Sequence, residues 1–163
     1  MLRNILELSL FISPRMVSVI RRFIEEISGR LGADDDLAGR VALAAHELLE
    51  NAAKYGRQGE GVLQLHSVLV GQQRRIMLTV KNHASAEHID RLHGTFSQMD
   101  GNPDPFAHYF NLMNSGDGGD FSGLGLARIP AEADMPLRLS LKGDEVSICA
   151  TSNPFTPSEK VSR

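Results

Sequence analysis

Residues 45–56 read Ala45-His46-Glu47-Leu48-Leu49-Glu50-Asn51-Ala52-Ala53-Lys54-Tyr55-Gly56. With the residues before them, Leu37, Val41, Ala44, Ala45, Leu48, Ala52 and Tyr55 recur at helical spacing and form one apolar stripe. Asp34, Asp35 and Asp36 are candidate caps, and acidic residues suit the positive end of a helix, so the pattern predicts a helix that stops at Gly56. At about 100° per residue, Glu47, Asn51 and Lys54 fall within an arc of roughly 60° beside the stripe. A carboxylate, an amide and an amine therefore emerge along the rim of the buried face. Glu47 and Lys54 alone would pass as surface charges. Asn51 does not fit that reading, because Asn is a poor mid-helix residue and this one adjoins buried positions. A hard oxygen donor beside a carboxylate suits Mg²⁺, which takes few protein ligands and keeps its waters.

The neighbouring elements follow from pattern. On the N-terminal side, Leu6, Leu8 and Leu10 alternate with polar residues as in a half-buried strand. Ser13-Pro14 then opens a helix carrying Val17, Ile20, Phe23, Ile24, Ile27 and Leu31, closed by Gly32. On the other side come strands over 62–70 and 75–82 around a turn at Gly71, and a short helix over 85–93. An irregular stretch over 94–122, rich in Gly, Asn, Asp and Ser, holds a helix at 106–113. A helix over 124–134, interrupted by Pro130, precedes a hairpin of 137–141 with 146–150 around Gly143-Asp144. Hairpins with inserted helices predict an α+β fold, a two-layer α/β sandwich with a mixed sheet and helices on one face. One domain over 1–153 and a frayed tail over 154–163 are expected.

The run Glu47-Leu48-Leu49-Glu50-Asn51-Ala52-Ala53-Lys54-Tyr55 resembles the N-box of the histidine-kinase-like ATPase (Bergerat-fold) superfamily. Val19–Ile24 followed by Leu31-Gly32-Ala33-Asp34 resembles the first helix and loop of its anti-sigma-factor serine/threonine kinase branch. The resemblance implies Asn51 as the Mg²⁺ ligand, Lys54 near phosphate and Glu47 as the group that orients or deprotonates the attacking hydroxyl. Ser122-Gly123-Leu124-Gly125-Leu126-Ala127-Arg128-Ile129 resembles the second glycine box, which makes Gly123, Leu124, Gly125 and Leu126 candidate nucleotide contacts. Glycines there would let backbone N–H groups approach phosphate oxygens. The stretch over 94–122 then occupies the place of the family's ATP lid.

The first glycine box departs from the pattern. Asn82-His83-Ala84-Ser85-Ala86 stands where the family has D-x-G-x-G. Asn82 is in phase with Ile76, Leu78 and Val80, so it should point inward at the strand end and accept from adenine without a charge. The late G-T-x-V hairpin reads Gly143-Asp144-Glu145-Val146, which lacks the hydroxyl.

Composition sets the outer bounds. The chain has 163 residues, 42% hydrophobic and 23% charged, with a net charge of −3. No basic block would neutralise a nucleic-acid backbone, so no nucleic-acid partner is expected. The N-terminus carries charges inside its apolar run and no stretch approaches the roughly 18–20 apolar residues of a membrane span, so a cytoplasmic protein without a membrane partner is expected. Cys149 is alone, which excludes a disulfide framework. H-E-x-x-H is absent because Glu50 stands at its second His, and the spacing of His83, His88 and His93 matches no helical face, so these read as solvated.

The resemblance implies a cytoplasmic ATP·Mg²⁺-binding kinase acting on a serine or threonine of a small regulatory protein, a STAS-type antagonist or a sigma factor, and allows a homodimer. The altered first box raises the alternative of a binding module that captures its partner with weak or no nucleotide turnover.

Overall fold

The computed structural model describes residues 2–116 and 123–158. Strand β1 (Leu2–Phe11) leads into α1 (Pro14–Arg30) and α2 (Asp35–Tyr55), then β2 (Gly56–Val70) and β3 (Gln73–Ala84). Helices α3 (Ala86–Asp100), α4 (Pro105–Asn114) and α5 (Leu124–Arg128) follow, then a π-helical turn (Ile129–Ala133) and strands β4 (Leu137–Lys142) and β5 (Glu145–Thr151).

The strands form one sheet in the order β1-β2-β3-β5-β4. Every adjacent pair is antiparallel, so the expected mixed sheet is corrected to an antiparallel one. The reason is topological. β4 runs in the same direction as β3, but its hairpin partner β5 folds back between them, with Val80 opposite Ile148 and Ile148 opposite Leu139. The two-layer α/β sandwich stands. Leu63, Leu65, Ile76, Leu78, Val146 and Ala150 are fully buried and turn one sheet face to the helices.

Helix α2 is the centre of that layer. Asp34 caps it by accepting from Leu37 N–H at 2.8 Å. Its buried surface is wider than one stripe, because Ala38, Ala42 and Leu49 are buried along with Val41, Ala45 and Leu48. The helix touches α1, the sheet, α5 and the π-turn, so almost every face of its middle is covered.

Three expectations about local structure change. Helix α3 runs to Asp100 rather than stopping near residue 93, because His88, Leu92 and Phe96 form a buried i, i+4, i+8 face that carries it through Gly94. The stretch from 94 to 116 is therefore mostly helical; residues 117–122 lie outside the described residues. Pro130 brings no N–H to the α-ladder, and the chain continues past Arg128 as a π-turn ended by Asp134 at φ 52°. Of the segment expected to fray, the described part is tied down: Arg74 and Phe155 exchange backbone hydrogen bonds at 2.8 and 2.9 Å, and Ser158 N–H donates to Gly32 O at 3.0 Å. Residues 159–163 lie outside the described residues.

Candidate functional site

Helix α2 presents Glu47, Asn51 and Lys54 at successive turns, with burial falling outward. Glu47 is 8% exposed, Asn51 is half-buried and Lys54 is exposed. Asn51 makes no side-chain hydrogen bond among the described residues, which leaves its carboxamide oxygen available to a ligand.

The glycine-bearing segment 123–126 reaches this helix. Gly123 takes a left-handed φ of 66° and caps α5; a Cβ there would lie 3.0 Å from Thr95 Cγ2 of α3. Gly125 faces Glu47 so closely that a Cβ would stand 2.6 Å from Glu47 Oε2. Leu124 is half-buried and Leu126 is buried at 2% exposure, so Leu126 serves the core with its side chain. The two motifs, far apart in sequence, meet at one carboxylate.

Sequence reasoning missed what holds that carboxylate. Arg128 donates from Nη1 to Glu47 Oε1 at 2.9 Å and from Nε to Glu132 Oε2 at 2.7 Å. The buried side chain of Tyr109 on α4 lies near Arg128 and Glu132. Burial raises the Glu47 pKa above the ordinary carboxylate range, and the bond to Arg128 and its charge oppose that rise. The i, i+4 spacing of Arg128 and Glu132 was a readable signal; the link to Glu47 across 81 positions was not.

Beside the C-terminal end of α2, Asn82 points inward as expected and is 5% exposed. Its Nδ2 donates to His83 O at 3.3 Å, which leaves the carboxamide oxygen as the acceptor. Gly56 lies against it, with a Cβ position 3.3 Å from Asn82 Nδ2. Of the residues that replace the first-box glycines, Ala84 ends β3 and Ala86 starts α3. Ala84 is fully buried, and Ser85 caps the helix by accepting from His88 N–H at 3.2 Å.

His88 corrects the reading of solvated histidines. It is 5% exposed and stacks on Tyr55 with ring centroids 4.3 Å apart. Burial, and next the charge of Arg91, lower its pKa to about 4. His83 remains exposed and pairs with Asp144 at 2.9 Å, and His93 is exposed. Two clefts of about 480 and 620 Å³ lie on the sheet, and neither is lined by Glu47, Asn51 or Lys54. No described helix is long and apolar enough to cross a membrane, and among the described residues no cluster of three His, Cys, Asp or Glu could hold a metal.

Comparison with known proteins agrees with this fold. The SiaB-SiaC complex from Pseudomonas aeruginosa contains a chain with the same fold: TM-score 0.72, 18% identity, covering 92% of this chain and 90% of that one. A histidine kinase domain from the Erythrobacter litoralis EL346 blue-light-activated histidine kinase is a weaker match, with TM-score 0.41, 16% identity and coverage of 84% and 58%. No curated protein matches. The profile of the histidine kinase-like ATPase domain matches residues 12–135, which takes in α1, α2, both glycine-box segments and the π-turn. The chain belongs to the histidine kinase-like ATPase domain family.

Proposed function

We propose that this protein binds ATP·Mg²⁺ beside α2 and acts as a regulatory kinase, transferring phosphate to a serine or threonine of a small partner protein. The observation that carries the reading is the meeting of Gly125 with Glu47, which sets a backbone bare of side chains against the carboxylate of a helix that also presents Asn51 and Lys54. The residues fit the groups the family uses. Asn51 offers an unbonded, half-buried oxygen, and Mg²⁺ needs few protein ligands when phosphates and water complete its shell. Mg²⁺ would neutralise phosphate charge, and Lys54, exposed at the rim, would add to that. Asn82 offers an acceptor to the adenine amino group. Glu47 would take the proton of the attacking hydroxyl once its hold on Arg128 loosens.

A small partner of the STAS or sigma-factor kind is the reading carried over from the anti-sigma-factor branch. The neighbour of matching fold was seen in complex with another protein, which supports a partner-directed role.

A second reading, a partner-capturing module with little turnover, is favoured by one set of observations. Ala84 ends β3 and Ser85 caps α3 where the family has its glycine turn, and His88 of α3 stacks on Tyr55.

Calorimetry with ATP and Mg²⁺ tests the proposal. Wild type should bind ATP more tightly with Mg²⁺, and Asn51→Ala should lose that dependence while keeping its fold. Glu47→Gln should still bind, with phosphate transfer reduced about 10²–10⁴-fold. Absence of ATP heat from the wild type would leave the capture reading.

A further inference from the structure

We propose that Arg128 is a positioning residue for Glu47, its guanidinium divided between that carboxylate and Glu132. This rests on the reading of Glu47 as the base. The geometry is a chain of three groups from three elements: Glu47 of α2, Arg128 of α5 and Glu132 of the π-turn. One cation serves two carboxylates, at 2.9 Å and 2.7 Å.

The partition matters because Glu47 is almost wholly buried. A carboxylate at 8% exposure needs a counter-charge to stay ionised, and only an ionised carboxylate can accept a proton. The groups facing it are His46 and Glu50 on its own helix, Arg128 on α5, Glu132 on the π-turn and Tyr109 on α4. Among these, Arg128 alone donates to it at hydrogen-bonding distance within the described residues. The stronger the pull of Glu132, the less of the guanidinium remains for Glu47. Arg128 is itself 38% exposed, so it can turn without breaking the core.

The test is a ¹³C-carboxyl NMR titration of Glu47 in the full chain without nucleotide. Arg128→Gln should move the Glu47 midpoint up by about one pH unit or more. Arg128→Lys should move it less. Glu132→Gln should move it down, because the guanidinium is no longer shared. An unmoved midpoint in Arg128→Gln overturns the proposal. So does a shift of the same sign in Arg128→Gln and Glu132→Gln, which is what general loosening of the site would produce. Should Arg128→Gln fail to fold, the opposed signs of Arg128→Lys and Glu132→Gln carry the same test. Failure of the wild type to turn over Mg·ATP would count against the kinase reading and leave this titration as it stands.

Discussion

Asn82 shows how much one atom decides. Under the proposed function, the family's aspartate would bring a charge to the adenine amino group, where Asn82 would bring only a carbonyl oxygen. Charged hydrogen bonds contribute about 1.5–3 kcal/mol against about 1 for neutral ones, so adenine should bind roughly tenfold more weakly here. The structure adds a reason for the amide. Its Nδ2 donates to His83 O at 3.3 Å, a bond that a carboxylate cannot make. Asn82→Asp should therefore lower the melting temperature of the nucleotide-free protein and tighten ATP about tenfold, both read from calorimetry on the same sample. A destabilised variant that gives no ATP heat would support the capture module instead, since a charge at 5% exposure without a ligand only costs stability.

At the scale of elements, α2 and α3 are joined by the Tyr55–His88 stack. His88 has a folded-state pKa of about 4 against an ordinary 6.5. Between these values the unfolded chain binds the proton and the folded protein does not, so stability is full above about 6.5 and falls as pH drops towards 4. Glu47 gives the opposite slope over its own window, because its raised pKa makes the folded state the better proton binder there. Urea unfolding across this range should show the loss on acidification, and His88→Phe, which keeps a ring on Tyr55, should flatten it. The element that sequence reading shortened was this same α3. Its Gly94 and polar C-terminal half resemble a loop, and only burial of Leu92 and Phe96 against the rest of the protein makes them helical.

Across the whole molecule, the C-terminal segment is fastened to the α1–α2 connection at Gly32. This residue has φ of 90°, and a Cβ would lie 2.7 Å from Pro157 Cβ and 3.2 Å from Ser158 N. Gly32→Ala should cost about 1–2 kcal/mol from the left-handed backbone alone, and more from displacing the C-terminal segment. Denaturant unfolding checks this, and a cost below that range would show that the segment moves freely. What the sequence determined by itself was everything with a local cause: the alternation of β1, the capping aspartate and stripe of α2, the hairpin around Gly143, and the rim placement of Glu47, Asn51 and Lys54. These depend on neighbours within a few turns of chain, so periodicity and cap chemistry reveal them. The tertiary structure alone decided that β5 lies between β3 and β4, that α3 continues past Gly94, and that Arg128 holds Glu47. Each of these is a contact between distant segments, and its energy comes from burying surfaces or charges that no local pattern brings together.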